Sequence, residues 1–226
     1  MDVRIHALKL GIDWCYLIQG AGIVMIDGGC PKKASRFLAA MEKLALRPDE
    51  IELIILTHGH WDHIGSVKVI KNITGAKVAM HCEEKEWLEQ ALTPLPPRGV
   101  TAWSRFLAGA IAMYLPWVDV PAAEVDLVLE DRAFSLADYG IPGKIIPTPG
   151  HSGGSVSVLL DTGDAFVGDL AMNLFPLRLG PGLPVFAEDL QQVRQSWTLL
   201  LDEGAKMIYP AHGRSFPADV IRKALR

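Results

Sequence analysis

The chain has 226 residues, half of them hydrophobic and 21% charged, with a formal net charge of −4. That length suits one large domain or two small ones with a sizeable core, and the composition leaves no place for long disorder. The negative balance argues against a protein whose task is gripping nucleic-acid phosphates.

Cysteine use is sparse. Cys15, Cys30 and Cys82 form no CxxC pair, so neither a disulfide framework nor a zinc ribbon is expected. They read as buried or half-buried thiols in a reducing compartment. The first residues show no basic segment followed by an apolar one, and the expected location is the cytoplasm.

In chain order, β-rich runs at 3–10, 14–19 and 22–26 are broken by glycines and end at Asp27-Gly28-Gly29. From Pro31 a helix is expected, with Phe37, Leu38, Met41, Leu44 and Leu46 at roughly helical spacing. Residues 51–56 read as a buried strand, 64–73 as a helix stopped at Gly75, 77–80 as a strand and 83–92 as a helix. Segment 93–121 is rich in proline and aromatics and reads as an inserted, lid-like loop and helix. Its apolar run, 106–115, is too short to span a bilayer, so no membrane span is expected. Strands return at 126–129, 144–146, 156–160 and 165–167. A helix at 188–202, a strand at 207–209 and a helix after Pro217 close the chain. The pattern is mixed α/β or α+β in one domain, 1–226, without repeats.

The chemistry concentrates in Thr57-His58-Gly59-His60-Trp61-Asp62-His63. Residues two apart on an extended backbone point to the same side, so His58 and His60 can converge on one cation beyond the strand 51–56. Asp62 and His63 follow as the chain turns into a helix and can face a second point a few ångströms away. Crowded neutral imidazoles without partners would lose solvation and gain nothing, which favours metal binding. His151, Asp169 and His212 each follow a strand as well, where α/β scaffolds keep their sites. His6 and His81 fall outside the pattern and read as structural; Ser152 and Ser155 read as loop hydrogen bonders rather than nucleophiles.

The ordered set, His-x-His-x-Asp-His, then Gly150-His151, Gly168-Asp169 and the late His212, resembles the metallo-β-lactamase superfamily, with a glyoxalase II-like ligand pattern on a stand-alone domain. The resemblance implies an αββα sandwich: two mixed sheets face to face, helices on the outer faces. It implies His58, His60 and His151 on a first metal, Asp62, His63 and His212 on a second, and Asp169 bridging both. Asp27 resembles the family's buried aspartate behind the ligand loop; a plain turn residue is the other reading. Two divalent ions roughly 3.5–4 Å apart need anionic bridges, which Asp169 and a hydroxide would supply.

The expected activity is metal-dependent hydrolysis, by a metal-bound hydroxide, of a small-molecule ester, thioester, lactone or phosphodiester. Zinc is the first expectation, with iron or manganese as alternatives. Asp62, or a second bound water, would give a proton to the leaving group. Other members fit less well: a glyoxalase II would carry a further glutathione-binding region after His212, a true β-lactamase often has Cys where Asp169 stands, and flavodiiron proteins have Glu at the place of His60. Two further readings stay open. One is an oxygenase resembling persulfide dioxygenases, with one iron on His58, His151 and Asp169; the other is a non-catalytic metal-binding protein. In segment 93–121, Trp103, Phe106, Met113, Tyr114 and Trp117 would form an apolar wall of the site, or else core or a homodimer contact. Arg178, in the loop 173–185, would meet an anionic group or lie solvated on the surface.

Overall fold

The apolar runs arrange themselves in two sheets whose shared face is the centre of the molecule. The computed structural model describes residues 3–175 and 178–226. The first sheet opens with an antiparallel meander, β1 (Arg4–Lys9), β2 (Trp14–Gln19) and β3 (Ile23–Ile26). Helix α1 (Ala34–Leu44) leads to β4 (Ile51–Ile55), parallel to β3. Two short helices, α2 (Trp61–Ile64) and α3 (Val67–Thr74), precede β5 (Lys77–His81). Helices α4 (Lys85–Glu89) and α5 (Ala102–Tyr114) then lead to β6 (Leu127–Leu129), parallel to β5.

The second sheet takes β7 (Phe134–Ser135), β8 (Gly143–Pro147), β9 (Val156–Leu160) and β10 (Asp164–Gly168) as antiparallel neighbours. Helix α6 (Leu190–Asp202) crosses over to β11 (Met207–Pro210), parallel to β10; β12 (Phe216–Pro217) pairs on its far side, and α7 (Asp219–Ala224) follows. Each sheet has six strands, in the order β1 to β6 and β12 to β7.

Side-chain alternation explains why the central strands are apolar on both faces. Val24, Ile26, Leu53 and Ile55 point between the sheets and meet Val158 and Phe166. Met25 and Ile54 point outward under α1 and α3, against Phe37, Met41, Val67 and Ile70. On the other side, Leu159, Val167 and Ile208 pack under Val193, Trp197 and Leu200 of α6. The αββα sandwich implied by the resemblance is the observed architecture.

Several boundaries differ from the sequence expectation. The helix expected over 64–73 is interrupted at Gly65–Ser66, where the Cys30–Lys33 turn presses in. The Ser66 hydroxyl donates to the Cys30 carbonyl at 2.6 Å and accepts from the Lys33 N–H at 2.8 Å. The helix expected over 83–92 is only α4. Strands β7 and β12 were not legible, because two residues cannot show alternation. Cys15 and Cys30 are buried, but Cys82 is exposed, contrary to expectation. No described helix is long and apolar enough to cross a membrane.

Candidate metal centre

Four strands of the sandwich end at one rim, and each delivers ligand atoms there. His58, His60, Asp62 and His63 follow β4, His151 follows β8, Asp169 follows β10 and His212 follows β11. His60 stands in extended conformation just before α2, and Asp62 and His63 sit in that helix's first turn. Ligand atoms of His58, His60 and His151 lie within 4.8 Å of one another, as do those of Asp62, His63 and His212, and those of His58, His63 and Asp169. All seven side chains are buried.

Hydrogen bonds behind the rings decide which nitrogen faces inward. His151 Nδ1 lies 2.9 Å from the Phe186 carbonyl, to which it donates, so Nε2 points into the cluster. His58 Nδ1 lies 3.1 Å from Thr57 Oγ1, leaving Nε2 turned inward. His63 Nδ1 lies 2.9 Å from Asp27 Oδ2, leaving Nε2 to face Asp169 Oδ1 at 3.5 Å. Asp169 stands between the two groups. Its Oδ1 is 3.3 Å from His212 Nε2, while Oδ2 is 3.7 Å from His151 Nε2. Asp62 Oδ2 is 3.2 Å from His212 Nε2.

The donor set fits divalent cations. His58 Nε2, His63 Nε2 and Asp169 Oδ1 are buried with no hydrogen-bond partner, a costly state for a polar group unless something else coordinates it. Imidazole nitrogens joined by carboxylates suit zinc, iron and manganese.

Electrostatics divides the seven candidate ligands. Burial, together with the neighbouring histidines, pushes His58 well below its ordinary pKa, and burial with His151 pushes His60 down to about 3. His151 is also lowered, by burial. Burial opposes protonation of His212 too, but the carboxylates of Asp169 and Asp62 outweigh it and raise it to about 9. His63 is raised well above its ordinary value against burial, by Asp27 and Asp169. Burial would raise the carboxyls of Asp62 and Asp169, yet their imidazole partners, His212 foremost, hold both low.

Behind the ligands sits a second tier, of which the sequence pointed only to Asp27. That residue is buried, adopts a left-handed backbone (φ 60°), and accepts from the Thr57 N–H at 2.8 Å as well as facing His63. A plain turn residue makes no such contacts. Glu84 was missed. It is buried, and it accepts from the Gly59 N–H at 2.6 Å and the Gly154 N–H at 2.9 Å, tying the His58–His60 loop to the His151 loop. Burial pushes its carboxyl pKa up. A lone Glu before a helix carries no pattern; only the glycine-bearing loops that it bridges hinted at one. A Cβ at Gly59 would lie 2.5 Å from Trp87 Cε3, so glycine is required where α4 packs on the ligand loop. At Gly168 (φ 51°) a Cβ would lie 2.5 Å from Thr57 Oγ1, which is why the residue before Asp169 is also glycine. Asp13, likewise missed, is buried and takes its side-chain hydrogen bonds from the thiols of Cys15 (3.4 Å) and Cys30 (3.5 Å).

Ser152 and Ser155 bond each other at 2.7 Å, as loop hydroxyls do. His6 and His81 lie outside the three ligand groupings.

A cavity opens above the ligands, bordered by His60, Asp62, His151, Asp169 and His212. Segment 93–121 covers it, but not with the residues expected. Trp103, Phe106 and Met113 are 57%, 69% and 76% exposed, and Trp103 and Phe106 stack on each other at 5.7 Å. The helical phase of α5 turns them outward, while Leu107 and Ile111 face the cavity. Tyr114 and Trp117 border a neighbouring depression. Arg178 is half-buried, and the Cβ position of Gly182 lies near its guanidinium; it does not border the cavity. Residues 176 and 177 of its loop lie outside the described residues.

A two-sheet sandwich with a His/Asp rim at its strand ends defines a class of metal-binding α/β proteins. Residues 8–212 match the model of the metallo-beta-lactamase superfamily, and the chain belongs to that family. It is 27% identical over 167 residues to a probable metallo-hydrolase of Bacillus subtilis, covering 72% of this chain and 62% of that protein. Against a beta-lactamase-like protein 2 homolog of Caenorhabditis elegans it is 30% identical, over 88% of this chain and 55% of the relative. The chain thus spans little more than half the length of these relatives. A probable metallo-hydrolase of Methanocaldococcus jannaschii, 28% identical, is covered over 86% of its length. An archaeal metallo-beta-lactamase superfamily protein from Sulfolobus tokodaii shares the fold, with a TM-score of 0.68 and 24% identity over 98% of this chain and 84% of that one.

Proposed function

We propose that this chain is a metal-dependent hydrolase with a dinuclear centre, acting on a small-molecule ester, thioester, lactone or phosphodiester. The observation that carries the proposal is Asp169, whose two oxygens face different nitrogen groups, His151 on one side and His63 with His212 on the other. His58, His60 and His151 would hold one ion, Asp62, His63 and His212 the other, and Asp169 both. Zinc is the first choice, with manganese or iron compatible with the same donors.

Bound divalent ions would supply Lewis acidity and lower the pKa of a ligated water to about 7. The chain's own groups do the rest. Asp27, Thr57, Glu84 and the Phe186 carbonyl fix the ring orientations and loops before substrate arrives. Asp62 borders the cavity, so it would take the proton of the attacking water and return it to the leaving group. The names of the Bacillus and Methanocaldococcus relatives support a hydrolase.

The apolar layer shared by both sheets supports reading the chain as one domain. Unpaired thiols suit a reducing, cytoplasmic setting. The test is a panel of esters, thioesters, lactones and phosphodiesters with chelator-treated protein before and after two equivalents of zinc. Zinc-restored turnover supports the reading; no turnover of any class by the reloaded protein contradicts it.

A further inference from the structure

The outer face of the roof lacks what a soluble surface helix carries. Such a helix sets charged and polar side chains opposite its packed stripe. Helix α5 has one charge in 13 residues, Arg105. Its packed stripe is Leu107, Ala108 and Ile111 against Met172, Val185 and Phe186. The opposite side presents Trp103, Phe106, Ala110, Met113 and Tyr114, all exposed. The single turn that continues the helix adds Trp117, which is 77% exposed. Steps of three and four residues align these side chains in one strip. An apolar strip of this kind on a folded protein marks a surface that meets another surface.

The charge around the strip is of one sign. Arg98 and Arg105 are the only charged residues between Glu89 and Asp119. At the C-terminal end of α5, Tyr114 and Trp117 border a depression that Lys32, Lys33 and Arg36 also border, with Asp119 its one acidic residue. None of Lys32, Lys33, Arg36, Arg98 and Arg105 forms an ion pair among the described residues. This excess of cations is local, because the chain as a whole carries a net charge of −4. A second copy docked by the same strip would set these cations against their own counterparts, with only Asp119 to offset them. An anionic surface meets them without that conflict.

We infer that α5 docks on an anionic lipid bilayer. Trp103, Phe106, Met113 and Trp117 enter the boundary between headgroups and acyl chains, while Arg105, Lys32, Lys33 and Arg36 meet the negative headgroups. At about 1.5 Å per residue the 13 residues of α5 reach about 20 Å, short of a hydrocarbon core of roughly 30 Å, so the helix lies on the bilayer and does not span it. Tryptophan and tyrosine rings, apolar in body and polar at one edge, favour that depth. Leu107 and Ile111, on the packed side of the same helix, border the cavity above the ligands, so the docked helix is also part of the roof of the site. The inference concerns a surface and stands independently of the hydrolase reading.

The test is co-sedimentation of the whole chain with vesicles of phosphatidylcholine, alone or with about a third phosphatidylserine. Expected is binding at least about tenfold tighter to the mixed vesicles, weakening as salt rises. Arg36→Gln and Arg105→Gln should each weaken it roughly fivefold. Trp103→Ser combined with Phe106→Ser should weaken it about tenfold or more. All four side chains are exposed, and an unchanged melting temperature shows that each variant is folded. Trp103→Phe combined with Trp117→Phe keeps the strip apolar. That variant should bind as the parent does but lose most of the fluorescence quenching by bromine-labelled acyl chains, which reports on the strip itself. Sedimentation velocity without lipid should give a monomer. Any of four results overturns the inference: no vesicle binding, binding indifferent to phosphatidylserine, quenching that survives in the double Phe variant, or a dimer that the double Ser variant dissociates. No arm reads hydrolysis, so its failure leaves the reading of the metal centre untouched.

Discussion

The floor and the roof of the site are built on opposite principles. On the floor three candidate ligands are held from behind, Asp27 against His63, Thr57 against His58 and the Phe186 carbonyl against His151, while Glu84 ties two of their loops together. The roof, 93–121, contributes apolar contact on its inner face and leaves Trp103, Phe106 and Trp117 mostly exposed on its outer one. Chemistry demands fixed atoms, whereas substrate choice demands only shape and polarity. A change to the floor should therefore cost activity on every substrate, and a change to the roof should redistribute activity among substrates.

The largest effect that would break this contrast is at the bridge. Asp169→Asn removes the charge between the two nitrogen groups, and kcat/KM should fall for all substrates by more than the 10–100-fold typical of residues behind a ligand. Steady-state kinetics on two unrelated ester classes checks it; loss confined to one class would contradict the account.

Next is pH. In the metal-free protein His212, raised to about 9, carries a proton at neutral pH that an incoming ion must displace. Affinity for zinc should therefore rise about tenfold per pH unit for that proton between pH 7 and 9, then level. His63, also raised, steepens the slope. Competition against a chelator measures it, and a flat profile would show that the acidic partners do not hold these protons.

Smaller again are the residues behind the ligands. Asp27→Asn tolerates the left-handed backbone but weakens the hold on His63, and Glu84→Gln weakens the tie between Gly59 and Gly154. Each should cost about 10–100-fold in metal affinity or turnover. Either variant retaining wild-type affinity and rate would reduce its residue to a loop support. The smallest effect is on the outer roof: Trp103→Ser should change stability by less than about 0.5 kcal/mol, read by thermal melting. A large loss would mean that the outer face is covered in solution.

The same contrast explains what the sequence made legible. The His58–His63 run is local, so its spacing alone displays the chemistry, and the strand-end positions of His151, Asp169 and His212 follow from recognisable β runs. Glu84 and Asp13 are single carboxylates whose roles arise only when distant loops and thiols close around them. On the roof the aromatics drew attention by type, but helical phase decided which side faces the cavity. Ser104, Leu107, Ala108 and Ile111 recur at helical spacing and mark the packed face, a signal weaker than the conspicuous rings. The break at Gly65–Ser66 depends on the turn around Cys30, more than thirty residues earlier.

The central claim is that Asp169 joins two metal positions, and counting ions tests it most directly. Elemental analysis of protein purified without added metal or chelator should give two divalent ions per chain, falling to one in Asp62→Ala. A single iron per chain, unchanged by Asp62→Ala, would contradict the account and place the centre on His58, His151 and Asp169 alone.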